Sequence, residues 1–108
     1  MIIRLVRVIA TRDKASTLNA HFRDVAQPQI RACAGNAGIW YGRTVHRDRE
    51  EFVMMSRWVD HASLAAWTGP DVNELPLLPN IDEMAIEWTV QHFEELPVAE
   101  PEGARDGG

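Results

Sequence analysis

The chain has 108 residues, one cysteine and a formal net charge of −5, which together predict one compact domain without an internal disulfide. With 45% hydrophobic and 25% charged residues, its composition is that of a globular protein and excludes disordered, collagen-like and coiled-coil classes. Arg4 and Arg7 interrupt the apolar start, which predicts a β-strand rather than a signal peptide or membrane span. We expect a cytoplasmic protein that does not bind membranes.

The charges are divided unevenly along the chain. Residues 1–57 carry a net charge of +5 and residues 58–108 a net charge of −10. Ten of the eleven basic residues are arginines, and they are dispersed rather than clustered as in a nucleic-acid interface. We therefore expect these arginines to pair with acids within or between subunits, and we expect no nucleic-acid partner.

The first half of the sequence predicts a strand and a long helix. Residues 2–10 are apolar and β-branched, with Arg4 on one face of the strand and Arg7 on the other. Apolar residues then recur at intervals of three and four from Asp13 to Cys33, as in an amphipathic helix. Thr11 or Asp13 could cap this helix. Pro28 lacks an amide proton, which predicts a kink or break near Gln27.

The second half predicts a hairpin, two short helices and a last strand. Alternating residues at 38–47 and 52–58 indicate two adjacent strands. Asp60 is a good N-cap for a helix through Trp67. The next segment, 71–80, holds two prolines among three leucines, so it predicts a packed, lid-like segment. A short helix over residues 81–85 and a strand over residues 86–95 complete the pattern.

This order is the ferredoxin-like βαββαβ plan, an α+β fold with an antiparallel sheet and helices on one face. Both faces of the first strand are apolar, so the face without helices needs a cover. A second copy would provide it, and two such sheets would close a dimeric α/β barrel. We expect one domain over residues 1–96 and a flexible tail over residues 97–108, where the sequence has no periodicity.

Two stretches resemble a known family. They are QIRACAGNAG at residues 29–38 and FVMMSRWVDHASLAAW at residues 52–67, and they are similar to the antibiotic biosynthesis monooxygenase family. The resemblance extends over about residues 2–96. It implies a dimeric α+β barrel whose members include cofactor-free oxygenases of polyketide phenols, haem-degrading enzymes, isomerases and proteins without a known activity.

The resemblance points to Trp67 as a functional residue, because quinone-forming and haem-degrading members carry a tryptophan on this second helix. The quinone-forming members place an asparagine one turn earlier, where this chain has Ser63. Haem-degrading members use an asparagine on the first strand and a histidine beyond the tryptophan. Those regions here hold Arg7 and Leu77, so haem has no axial imidazole of that kind. Trp67 could equally be a core anchor of its helix.

Of the four histidines, His92 is the candidate general base. It shares a face of the last strand with Trp88 and Val90, and an imidazole pKa near about 6.5 suits proton abstraction. A histidine satisfied in the core is the alternative. The other three histidines show no spacing typical of a metal site, so we expect no metal.

Arg4 or Arg7 must point under the helices or into the barrel. The partner there would be an acid of the last strand such as Glu87, forming a buried ion pair, or else an anionic substrate or reduced oxygen species. We assign Arg7 to catalysis with His92 and Trp67. The expected substrate-binding residues are Arg4, Ser63, Trp88, Leu77 and Tyr41, although aromatic residues in such strands are often core.

The resemblance, taken with these residues, implies a small cofactor-independent monooxygenase that oxidises an electron-rich aromatic or enolisable molecule with O2. The chain has no glycine-rich phosphate loop or dinucleotide fingerprint, so we expect no cofactor. Two alternatives stay open: a cofactor-free isomerase or lyase, and a non-catalytic protein that binds a small ligand.

Overall fold

The computed structural model describes residues 1–75 and 80–98. Its elements are, in order, β1 (Ile2–Thr11), α1 (Arg12–His21), a π-helical turn (Phe22–Ala26), α2 (Gln27–Ala32), β2 (Asn36–Val45), β3 (Arg49–Trp58), α3 (His61–Thr68), α4 (Ile81–Met84) and β4 (Glu87–Glu94). The predicted α+β, βαββαβ order is confirmed, with α4 as the short helix before the last strand. Leu77 and residues 99–108 of the predicted tail lie outside the described residues.

The four strands form one antiparallel sheet in the order β2-β3-β1-β4. Side chains alternate between the two faces of each strand. One face of β1 and β3 packs under the helices and forms the core, and its buried members are Arg4, Val6, Val8, Ala10, Glu50, Phe52, Met54, Ser56 and Trp58. The register places Arg4 opposite Ser56 of β3 and His92 of β4. The central strand therefore carries a charged residue into the helix-covered layer.

The long helix crosses the sheet as α1, the π-helical turn and α2. The amide of Gln27 donates to the carbonyl of Phe22, five residues earlier. Pro28 has no amide to bond the carbonyl four residues before it, which disturbs the α-helical ladder at this point. The predicted irregularity near Gln27 thus takes the form of a wider turn. Phe22, Ala26 and Ile30 all remain buried against the sheet.

Side-chain capping accounts for the start of one helix but not for the starts of other elements. Asp60 caps α3, and its Oδ1 accepts a hydrogen bond of 2.8 Å from the amide of Ser63. Thr11 and Asn80 occupy N-cap positions but their side chains make no capping bond. β2 begins at Asn36, two residues before the predicted start, and its pairing is irregular between Asn36 and Gly38.

The face of the sheet away from the helices, called the open face below, carries Leu5, Trp40, Val53 and Met55. These side chains line an apolar depression of about 280 Å³, and Trp40 is 48% exposed. None of the helices in the described part of the chain has the length and apolar character of a membrane span.

Candidate functional site

Arg4 is the charged centre of the helix-covered layer, where it is only 3% exposed. Its Nη2 donates to the carbonyl of Glu74 at 2.6 Å, and its Nη1 donates to the carbonyl of Val72. Both carbonyls belong to residues 71–75, the segment that follows α3, which we call the strap. Nη1 also lies 2.9 Å from Nε2 of His92. The guanidinium thus joins the sheet to the strap.

No carboxylate neutralises Arg4 among residues 1–75 and 80–98. Five other arginines in the structure have an acidic partner, and the pairs are Arg7–Glu51, Arg12–Glu50, Arg23–Asp24, Arg43–Glu50 and Arg57–Glu95. Burial lowers the pKa of Arg4 to about 10, which leaves it protonated near neutral pH. A buried cation that has only neutral partners lowers the stability of the fold. Its presence therefore suggests a role other than stability.

The expected pairing with an acid of the last strand is wrong for Arg4. Glu87 is opposite Ile9, at the other end of β1, whereas His92 is the β4 residue opposite Arg4. The acid partner of Arg7 is on β3 rather than β4, since Nε of Arg7 lies 2.8 Å from Oε2 of Glu51.

His92 is held as a neutral hydrogen-bond acceptor. A guanidinium can only donate, so Nε2 of His92 accepts from Arg4 and the imidazole proton is on Nδ1. Burial lowers the pKa of His92, and electrostatic interaction with the Arg4 guanidinium and with His61 lowers it further. His92 is therefore unprotonated at neutral pH, as a base must be, but its lone pair is occupied by Arg4.

A small cavity adjoins Arg4 beneath the helices. Its volume is about 20 Å³, and its lining includes Trp67 of α3, Ala26 and Leu75 of the strap. A cavity of this size has room for about one water molecule, and an aromatic ring does not fit. Entry of a substrate therefore requires a side chain or the strap to move.

A larger groove is lined by another residue of the strap. Its volume is about 240 Å³, and its lining includes His92, His61, Leu64 and Val72. Val72 lines the groove and Leu75 lines the cavity, so the strap contributes a wall to each. Arg4, His92 and Trp67 thus surround two neighbouring spaces.

Arg7 and Ser63, two further predicted site residues, do not join this group. Arg7 lies on the open face with Glu51. Ser63 faces the turn before β2, where a Cβ on Gly35 would collide with its Oγ. Leu77 is outside the described residues.

Two aromatic residues that were expected to bind substrate instead contact other parts of the fold. Tyr41 stacks on Phe52 with a centroid separation of 6.2 Å, and its hydroxyl lies 3.0 Å from Oδ1 of Asn19. Burial raises the pKa of this phenol. Trp88 donates from Nε1 to Oδ1 of Asp82 at 2.8 Å and packs against the core. Both aromatic residues therefore support the fold around the site.

Sequence reasoning missed several residues around Arg4. The cavity is also lined by Phe22, Ile30 and Met54, which the helical and strand periodicities assigned only to the core. The strap contributes through backbone carbonyls, which have no signature in a sequence. The described residues include no cluster of three or more His, Cys, Asp or Glu side chains placed to hold a metal ion.

Comparison with known proteins finds one family whose model matches this chain. The model of the antibiotic biosynthesis monooxygenase family matches residues 1–71, which run from β1 to the start of the strap. A comparison with curated protein sequences gives no match.

Solved structures share the fold. A Deinococcus radiodurans protein, provisionally described as an antibiotic biosynthesis monooxygenase, is 14% identical to this chain. The match covers 95% of this chain and 100% of that protein, with a TM-score of 0.73. PA3566 from Pseudomonas aeruginosa is 19% identical, with 89% and 94% covered and a TM-score of 0.71. A Streptomyces coelicolor monooxygenase from the gene ActVA-Orf6, in complex with nanaomycin D, is 13% identical, with 93% and 91% covered and a TM-score of 0.65.

Proposed function

The chain belongs to the antibiotic biosynthesis monooxygenase family, and we propose that it is a small cofactor-independent monooxygenase. Its substrate would be an electron-rich aromatic or enolisable molecule, oxidised by O2 at the cavity and groove beside Arg4. In the simplest reaction a CH2 group and O2 become a carbonyl group and water. This reaction needs a substrate anion, a site that excludes water, and a positive charge.

The observation that carries the proposal is the buried guanidinium of Arg4, which no carboxylate pairs with among the described residues. A phenolate or enolate would provide the missing negative charge. Transfer of an electron from that anion to O2 produces superoxide, and a fixed cation in a dry site stabilises both anions.

His92 and Trp67 have roles that follow from their positions. When Arg4 turns toward the substrate, Nε2 of His92 is released and can accept the substrate proton. Trp67 lines the cavity, where its ring excludes water and its indole N–H can donate to an oxygen of the substrate. Arg7 has no part in this scheme because it lies on the open face.

The active form in this proposal is a homodimer. The open face exposes Trp40 beside Leu5, Val53 and Met55, and contiguous apolar surface of this kind is typical of an interface. Two open faces in contact would bury it and leave both helix-covered sites accessible.

Incubation with phenols, naphthols and anthrones, in air and without oxygen, tests the activity. We expect O2 uptake and quinone absorbance with at least one compound, and a large loss in Arg4→Gln. Arg23→Gln is the matched control, because Arg23 is exposed and pairs with the neighbouring Asp24. Turnover that persists without oxygen would favour the isomerase or lyase, and binding without turnover would favour the ligand-binding protein.

A further inference from the structure

The two strap carbonyls accept hydrogen bonds from Arg4 in the way that the two oxygens of a carboxylate would. A carboxylate binds a guanidinium through two oxygens that accept from two nitrogens. Here the carbonyl of Val72 accepts from Nη1 and the carbonyl of Glu74 accepts from Nη2. The backbone therefore supplies two oxygen acceptors in the place of an anion, but it supplies no negative charge.

From this arrangement we infer that the strap competes with a small organic carboxylate for Arg4. The carboxylate binds Arg4 by displacing the carbonyls of Val72 and Glu74. The inference rests on the proposed function only in placing the ligand at the same arginine. It adds a ligand class, and it makes the opening of the strap a step in binding.

The charges favour this exchange. Arg4 is 3% exposed, its side-chain partner His92 is neutral, and its remaining acceptors are uncharged carbonyls. Both bonds from Arg4 to the strap join a charged donor to a neutral acceptor, whereas a carboxylate adds an opposite charge and accepts two parallel bonds. An incoming carboxylate thus replaces weaker acceptors, and the released carbonyls can bond to water once the strap moves outward.

The spaces around the strap favour it as well. The closed cavity of about 20 Å³ holds no organic ligand, whereas the groove lined by Val72 measures about 240 Å³. In this inference, movement of the strap withdraws Leu75 from the cavity and Val72 from the groove, and the two spaces join. The combined site approaches the lower end of the roughly 300–1,000 Å³ that small-molecule sites occupy.

Within residues 1–75 and 80–98, the strap makes few contacts with its surroundings, which favours its movement. Apart from the bonds to Arg4, its hydrogen bonds in this part of the chain are short-range, from the amides of Glu74 and Asn73 to Asp71. Asp71, Asn73 and Glu74 are exposed. Val72 and Leu75 are its two side chains packed against the core. Segments with few buried contacts open at low free-energy cost.

The test compares benzoate and 2-naphthoate with the uncharged isosteres benzamide and 2-naphthamide, on the intact protein without oxygen. Binding is measured by calorimetry, and strap opening by cleavage after Glu74 with a glutamate-specific protease, mapped by mass spectrometry. We expect at least one carboxylate to bind and to speed cleavage at Glu74, and its amide to do neither. Cleavage at the exposed Glu83 of α4 serves as the internal control and should not change.

Variants assign the effect to Arg4. Truncating one partner of a buried charge pair should weaken binding by about 30-fold or more, so Arg4→Gln should lose the carboxylate preference and be cleaved quickly at Glu74 without ligand. Arg23→Gln should behave as the wild type. If Arg4→Gln does not fold, the comparison of carboxylate with amide on the wild type still decides the question.

Three results would overturn the inference: equal binding of carboxylate and amide, carboxylate binding that leaves or slows cleavage at Glu74, and unchanged carboxylate binding in Arg4→Gln. The inference fails separately from the proposed function. Carboxylate-driven opening in a protein that consumes no O2 with any of the phenols, naphthols and anthrones would disprove the oxygenase alone. O2-dependent turnover of one of those compounds that carboxylates do not inhibit would disprove the competing strap alone.

Discussion

Nη1 of Arg4 and Nε2 of His92 lie 2.9 Å apart on neighbouring strands, an arrangement that requires a neutral imidazole. The pKa of His92 is accordingly lowered by burial and by electrostatic interaction with Arg4 and His61. Protonation of His92 would place two cations in contact in a partly dry layer.

The first prediction follows from this pair. Between the lowered pKa of folded His92 and its unfolded value of about 6.5, the unfolded chain binds more protons, so the free energy of unfolding should fall as the pH falls through this window. Below the folded pKa this contribution should level off. Urea unfolding at a series of pH values measures it, and His92→Gln should remove it. His46→Gln, an exposed change near the hairpin turn, is the control and should keep it.

Trp67→Phe should separate a functional from a structural tryptophan. The substitution keeps an aromatic ring and loses the indole N–H, so we expect a stability loss of about 1–2 kcal/mol. We also expect a loss of turnover greater than this loss of stability explains. Trp58→Phe is the matched control, since Trp58 is fully buried and donates to Oγ of Ser56 at 3.0 Å. Trp58→Phe should lose at least as much stability and retain turnover. Full turnover in Trp67→Phe would make Trp67 a core anchor only.

The proposed homodimer predicts a mass of about twice 12.2 kDa in sedimentation equilibrium. Met55→Lys places a charge in the apolar depression of the open face and should give a monomer, because a buried unpaired ammonium is costly. Val25→Lys makes the same kind of change at a 36% exposed position on the helical side and should leave the dimer intact. A stable wild-type monomer at micromolar concentration would contradict the interface.

Gly35 has a left-handed backbone, with φ of 85°, and its missing Cβ leaves room for Ser63. Gly35→Ala should combine a backbone cost of about 1–3 kcal/mol with a collision at the start of α3. Gly69→Ala measures the backbone cost alone, since Gly69 has φ of 87° and open space around it. Thermal unfolding should rank Gly35→Ala as the less stable. Equal stabilities would mean that Ser63 moves aside freely.

Removal of residues 99–108 should leave the melting temperature nearly unchanged. The segment AEPEGARDGG contains no large apolar side chain to bury. Calorimetry of the shortened and full chains checks this. A loss of several degrees would show that the segment packs on the domain or on a second copy.

Local patterns were enough to predict most of the fold. The strict alternation of β3 and the cap at Asp60 depend on residues near one another in the chain, and both were read from the sequence. The site was harder because both faces of β1 are apolar. Ile3 and Leu5 on one face resemble Val6 and Val8 on the other, so nothing local decided whether Arg4 or Arg7 lay under the helices.

The partners of Arg4 were beyond sequence reasoning for a different reason. Its contact with His92 depends on the register of β1 and β4, and those strands lie far apart in the chain. Its other two partners are carbonyls, which every residue possesses. The sequence therefore suggested an acid of the last strand such as Glu87, whereas the folded sheet gives Arg4 neutral partners.

The π-helical turn at Phe22–Ala26 affects how this chain must be aligned with its homologues. Such a turn holds one residue more than an α-helical turn, and one residue corresponds to about 100° of rotation around a helix axis. A homologue whose helix is α-helical throughout matches this one only if a one-residue gap is opened between His21 and Gln27. Without that gap, each position of α2 would be compared with a residue that faces another direction, and Ile30 would be matched to a position on the solvent side.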